Sequence, residues 1–311
     1  MNQGFGEVLV EIVRAGIVES EHKGHLALIN ADGSLASSSG DIDALMFPRS
    51  SVKIMQASAM VRHGLKLTQK QLAVAQASHS GSELHFEVIL SILADAGLDL
   101  SAFRNAPDRP LGVSENAAWG DKAPTQLAQN CSGKHAAMLA TCVVNGWDRE
   151  SYLEPEHPLQ IAIRNEMQTL SGQEITLVTA DGCGAPLFAM TTRALATAIH
   201  HVTISSDPVH QEVIAAARAF PELVAGKGRT TTLMMQRVPG LFMKDGAEAI
   251  EVFSMPDGRA CAFKIADGGA RPFAAINKAI FAAWGIDADI EVPAIMGGSR
   301  VVGEVRTTLH L

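Results

Sequence analysis

Pro48-Arg49-Ser50-Ser51-Val52-Lys53 stands where the chain changes character, from short alternating apolar runs to long segments with helical spacing. The proline marks the entry and the spacing predicts a helix from about Ser50, which puts Ser50 and Lys53 one turn apart on one face. A serine hydroxyl is a weak nucleophile until a base takes its proton, and a lysine amine serves when burial lowers its pKa. The positive end of a helix favours an oxyanion in the same place. S-x-x-K also arises by chance, as a capping serine beside a solvated lysine, so its meaning rests on the rest of the chain.

Upstream, Val8, Val10 and Ile12 alternate with less apolar neighbours, His25 to Asn30 is a second strand-like run, and the turn Ala31-Asp32-Gly33 leads into a third at Ser34 to Ser39. A strand is also expected at Ile175 to Val178. Near the C-terminus, Ala249 to Phe253 and Arg259 to Ile265 flank the turn Met255-Pro256-Asp257-Gly258, and Val301 to Thr308 reads as a last strand. Between these ends the chain is helical. Ser51 to His63 stops at Gly64, Thr68 with Gln71 forms a capping box, Ser82 to Ala96 stops at Gly97, and Gly133 to Asn145 stops at Gly146. Pro158 and Pro208 suit first helical positions, with Asp207 as a cap, and Pro272 to Trp284 is a further helix. The expectation is an α+β fold, an antiparallel sheet built from both chain ends and flanked by helices, with an inserted helical subdomain. Residues 1–48 and 240–311 are assigned to the sheet subdomain and 49–239 to the helical one, with the active site between them.

Composition narrows the function. With 47% hydrophobic and 19% charged residues over 311 positions, the chain can bury a large core. Twenty-five Lys and Arg against 33 Asp and Glu leave a net charge of −8, a sign that repels phosphate backbones, so no nucleic-acid partner is expected. No apolar run approaches a membrane span, so no membrane partner is expected, and Met1 to Glu7 has no leader-like start. Cys131, Cys142, Cys183 and Cys261 are scattered rather than spaced as a disulfide framework. A cytoplasmic protein is expected.

Several short stretches carry further candidate chemistry. Ala77-Ser78-His79-Ser80-Gly81 is a small polar loop that offers Ser78 as a second hydroxyl, or simply a turn and cap. Lys264 stands near the end of an apolar strand before Asp267-Gly268, either facing a cleft or guarding a sheet edge. Asn130-Cys131-Ser132-Gly133-Lys134-His135 opens a helix, and Asp181-Gly182-Cys183 lies in a glycine-rich loop; by spacing alone these two cysteines read as structural. Gly226-Lys227-Gly228-Arg229 lacks a full phosphate-loop spacing and reads as a flexible loop, and His200-His201 as a pair favoured by a helix end.

Together these stretches resemble the asparaginase II family, the third class of L-asparaginases, along most of the chain. Gly16-Ile17-Val18-Glu19-Ser20 with His22 and His25 looks like its N-terminal signature, and Arg49-Ser50-Ser51-Val52-Lys53 like its R-S-x-x-K. Ala77-Ser78-His79, Asn130 to His135, Asp181 to Cys183, Val224-Ala225-Gly226 with Gly228-Arg229, and Lys264 with Asp267-Gly268 match its remaining motifs in order. The resemblance implies a serine β-lactamase/glutaminase-like fold and hydrolysis of L-asparagine to L-aspartate and ammonia. It implies two Ser–Lys tandems, Ser50–Lys53 and Ser78–Lys264, with Ser50 as nucleophile. It implies Arg49, His135 and Asp181 as substrate-binding residues, a zinc ion held by Cys131, Lys134 and Cys183, and a homodimer. A glutaminase is the near alternative, since one methylene discriminates by only ~1–3 kcal/mol. A zinc-binding protein without catalysis is the distant one; it predicts that Ser50 and Lys53 are dispensable.

Overall fold

The computed structural model describes residues 6–311, and in it the two ends of the chain meet in one antiparallel sheet. Residues 1–5, part of the stretch read for a leader, lie outside the described residues. The chain start supplies β1 (Glu7–Arg14), β2 (Ile17–Ile29) and β3 (Leu35–Ser39). Short strands β4 (Leu45–Met46), β5 (Val178–Ala180), β6 (Pro186–Phe188) and β7 (Met190–Thr191) make two small ribbons, β4 with β7 and β5 with β6. The chain end returns as β8 (Phe242–Gly246), β9 (Ile250–Ser254), β10 (Ala260–Ile265), β11 (Ile295–Gly297) and β12 (Arg300–Thr307). The sheet order is β11-β12-β1-β2-β10-β9-β8, with β3 also paired to β2. The architecture is α+β, as expected.

A short 3-10 turn, Arg49–Val52, runs directly into α1 (Lys53–Arg62). There follow α2 (Gln69–Ala75), α3 (Glu83–Asp95), α4 (Val113–Trp119), α5 (Ser132–Asn145) and α6 (Pro158–Ser171). After the ribbons come α7 (Thr192–Ile204), α8 (Pro208–Ala219), α9 (Pro221–Val224) and α10 (Thr230–Arg237), and α11 (Phe273–Ala283) separates β10 from β11. The local signals act as the sequence indicates: Thr68 and Gln71 close a capping box on α2, and Gly146 ends α5 in the left-handed conformation. Residues 53–60 of α1 are all buried, with α5, α6 and α8 around it, so the S-x-x-K turn is seated inside the helical layer. Helix α7 covers β2, β9 and β10 on one face of the sheet, and α11 packs with β1 and β12. Phe253 of β9 stacks on Phe281 of α11 at 5.1 Å. Among the described residues no helix is long and apolar enough to cross a membrane.

Three expectations need correction. The strand placed at Ile175 to Val178 is instead β5, because Ala189 N–H takes the Leu177 carbonyl and the regular pairing starts only at Val178. Strands β8 and β11 were not anticipated. The alternation in β1 is broken by irregularities after Val8 and after Ile12, and both faces are covered, so Leu9, Val10, Ile12 and Val13 are all buried. His200 and His201 do lie near the end of α7, but their Nδ1 atoms are spent on the Gly258 and Leu170 carbonyls, tying α7 to a turn and to α6.

One buried acid links the sheet to α11. Glu251 on β9 accepts a hydrogen bond from the Asn277 amide, and burial pushes its carboxyl up to about 8 from 4.5. A folded-state pKa above the unfolded one means that stability is greatest below about pH 4.5 and is lost as pH rises through 8. Glu251→Gln should therefore raise the unfolding temperature at pH 8 and above and flatten its fall between pH 5 and 8, as thermal melts across that range will read.

Candidate active site

The serines and lysines of interest come from four separate elements. Ser50 sits in the 3-10 turn and Lys53 one turn later, at the start of α1. Arg49 precedes them at φ +50°, in the left-handed region, so the chain turns sharply into the helix at this point. Ser78 lies in the loop between α2 and α3, fixed by backbone bonds from Ser78 N–H to Val224 O, Ser80 N–H to Ala225 O and His79 N–H to Asn130 O. Gly226, at φ +149°, is required there, since a Cβ would stand 2.0 Å from Ser80 Oγ. The stretch read as a flexible loop, Gly226 to Arg229, is thus clamped on the Ser78 loop. Arg229 continues the clamp, donating to the Ser78 carbonyl and to Asp245 Oδ2 at 2.6 Å.

Ser78 is the meeting point. Lys53 Nζ donates to Ser78 Oγ at 3.3 Å, to the Ala77 carbonyl, and to Cys131 Sγ at 3.0 Å. From the other side Lys244 Nζ donates to Ser78 Oγ at 2.9 Å and to Asp245 Oδ1 at 2.9 Å. Ser50 is 8% exposed, and its hydroxyl is bonded to no described residue. The lysine paired with Ser78 is therefore Lys244 of β8, and the expected Ser78–Lys264 tandem is corrected. Lys264, two strands further in on β10, instead donates to the carbonyls of Glu248 and Ile265.

Lys244 had a sequence signal. Lys244-Asp245-Gly246 has the K-x-G spacing of the lysine motif in S-x-x-K enzymes, but β8 is too short to stand out and Lys264 has the longer strand. Arg229 and Asp245, which hold Lys244 and the Ser78 loop, were likewise missed, because their roles depend on contacts far apart in sequence.

Against Lys53 lies the thiol cluster. Cys131 and Cys183 pack together, and Lys134 Nζ donates to Cys183 Sγ at 3.2 Å. The adjoining Cys131 thiol, helped by the Lys134 charge and opposed by burial, brings Cys183 down to about 5, while the adjoining Cys183 and burial push Cys131 up to about 11. Burial works against the Lys134 ammonium, but the two cysteines outweigh it and raise the group to about 12. His135, buried beside Lys134, is held far below its ordinary value; its Nδ1 pairs with the Tyr152 hydroxyl at 2.8 Å and its Nε2 has no partner among the described residues. Asp181 accepts from Arg49 Nε at 2.7 Å. Burial, helped by the nearby Lys53 and Arg229 charges, pushes Lys244 down to about 8 against the pull of Asp245, whose own carboxyl is kept well below the usual range because Lys244 and Arg229 outweigh its burial.

Among the described residues no three His, Cys, Asp or Glu side chains converge as a metal site. The donors that do meet are two thiols and an amine, a soft set whose chemistry fits zinc once the amine and thiols lose their protons.

The sequence matches the L-asparaginase II family over residues 10–306, nearly its whole length. The chain belongs to that family. This L-asparaginase II family member is accordingly an amidohydrolase with a small-molecule substrate. No curated protein sequence matches it. Among solved structures it is similar to a β-lactamase from Mycobacterium bovis, at 15% identity and TM-score 0.47, covering 84% of this chain and 94% of that one. It is also similar to a Bacillus glutaminase, at 12% identity and TM-score 0.48, covering 85% and 91% respectively.

Lys244→Met leaves Asp245 with Arg229 as its remaining partner, and breaking such a pair costs on the order of 3 kcal/mol. The unfolding temperature of Lys244→Met should fall clearly below that of Lys264→Met, whose ammonium is half-buried and rests on two carbonyls. Equal melts for the two variants would remove Lys244 from the centre of the site.

Proposed function

We propose that this family member is an L-asparaginase, hydrolysing L-asparagine to L-aspartate and ammonia, with Ser50 as the nucleophile. The observation that carries the reading is the Ser78 hydroxyl bonded both by Lys244 and by Lys53, the lysine one turn from Ser50. Lys53, which acts as a base only without its extra proton, takes the Ser50 proton as Oγ attacks the side-chain amide carbon. Collapse of the tetrahedral adduct breaks the C–N bond, and the leaving nitrogen takes a proton from Ser78, which Lys53 restores. Water then cleaves the acyl-serine by the reverse relay, releasing aspartate and free Ser50. Lys244 stays on Ser78 throughout, orienting its hydroxyl and stabilising the oxygen when it has given up its proton.

Asp181 offers a carboxylate to the substrate ammonium, and the unpartnered Nε2 of His135 a second polar contact, with Arg49 positioning Asp181 and offering its remaining donors to a carboxylate. Cys131, Lys134 and Cys183 would hold zinc, which when bound supplies a Lewis acid beside the substrate and keeps the Lys134 amine unprotonated. Asparagine is preferred over glutamine by the family kinship. In the same reading the enzyme is a cytoplasmic homodimer, which the four free cysteines and the kinship support.

Ammonia release from L-asparagine and L-glutamine tests the assignment. Ser50→Ala should abolish release with the fold intact, and Ser78→Ala and Lys244→Met should lower kcat by about 10²–10⁴. Release that survives in Ser50→Ala and vanishes in Ser78→Ala moves the nucleophile to Ser78; no release from either amide removes the asparaginase. Metal analysis after dialysis against zinc should find a single equivalent per chain, lost in Cys183→Ser.

A further inference from the structure

Two motif segments, Gly16 to His25 and Lys264 to Gly268, contribute nothing to the serine relay. They meet elsewhere. Lys264 pairs in register with His25 across β10 and β2, and just beyond it Asp267 Oδ2 is bonded to His22 Nδ1 at 2.7 Å, which braces the strand end. Lys264 stands at a cavity of about 320 Å³ that contains none of Ser50, Lys53, Ser78, Lys244 or the cysteines, and whose wall toward them includes Arg49. The volume is at the lower end for small-molecule sites.

The rest of the lining is chemically divided. Leu45, Phe47, Leu177 and Leu187 form apolar walls, and two of these large side chains stay open to solvent, Leu177 at 47% and Phe47 at 37%. Opposite charges sit beside them. Lys264 spends two N–H groups on the Glu248 and Ile265 carbonyls and has one left, with no carboxylate in ion-pair range among the described residues. Glu248 also lines the cavity, and its carboxylate is bonded to no described residue. It is held there by a tight turn in which Glu248 and Ala249 both take left-handed angles, φ +61° and +54°, a conformation that costs non-glycine residues energy. A fatty acid entering this cavity would leave Glu248 unanswered, and a simple amine would leave Lys264 unanswered. A zwitterion answers both, since each charge gains a charge-assisted hydrogen bond.

We propose that this cavity is a second small-molecule site, for a free α-amino acid with an apolar side chain. The carboxylate takes the free Lys264 donor, the ammonium takes Glu248, and the side chain lies against Leu45, Phe47, Leu177 and Leu187. Calorimetric titration of the full chain with L-leucine, 4-methylpentanoate and isoamylamine tests it, because the last two each lack one of the charges. Leucine should bind saturably in the micromolar to millimolar range, and each analogue at least about tenfold more weakly. Glu248→Gln and Leu177→Asp, both at exposed positions, should weaken leucine by a similar factor, with unchanged melts as the folding control. No leucine binding, equal binding of leucine and 4-methylpentanoate, or binding untouched by both variants and displaced by L-asparagine would each overturn the proposal. The titration needs no turnover, so a chain that fails to release ammonia can still bind leucine here, and an active asparaginase can still fail this test.

Discussion

The ammonium of Lys244, 1% exposed, is the constraint around which the site is arranged. An ammonium stripped of water costs several kcal/mol unless other groups replace its hydration. Asp245 supplies the charge and Ser78 the hydroxyl, so strand β8 must lie with its end against the α2–α3 loop. Asp245 in turn carries Arg229, and Arg229 reaches back to the Ser78 carbonyl, closing a ring through four residues from three parts of the chain. The edge of the sheet and the helical layer are thereby locked at one place, and that place is where Lys53 arrives from α1.

The polar groups around this ring differ in how tightly they hold their protons. The neighbouring Cys131 and the Lys134 charge favour the thiolate of Cys183, Cys131 and Lys134 hold their protons more tightly than usual, and burial holds His135 far below its ordinary value. Lys244, lowered to about 8, stands close enough to neutrality to exchange a proton at ordinary pH. Positive charge gathered beside two serine hydroxyls favours any oxygen that becomes an alkoxide, and the thiolate and Asp181 prevent that charge from accumulating without limit. The same rule governs the second cavity on a smaller scale: Lys264 and Glu248 are left with unspent bonding capacity beside apolar walls.

Glycines decide how near these elements come. At Gly133 a Cβ would stand 2.3 Å from the Val74 carbonyl, so α5 can begin against the end of α2 only without one. That approach sets Cys131 beside Lys53, and Gly226 likewise lets its loop close on Ser80.

Much of this was legible in the chain itself. Periodicity and caps suffice for α2, α3, α5 and α11 and for β1, β2, β10 and β12, because such signals act within a few residues. The family motifs bring Ser50, Lys53, Ser78, Cys131, Lys134 and Cys183 into consideration for the same reason, as each is a short local pattern. Tertiary structure alone decided which lysine meets Ser78. Lys244 and Lys264 lie on strands separated only by β9, both follow apolar residues and both precede Asp and Gly nearby, so local pattern treats them alike. They differ in what lies opposite: β8 is the sheet edge facing the helical layer, whereas β10 is interior and its Lys264 emerges at a separate cavity. Burial and pairing are properties of that arrangement, and no window of sequence contains them.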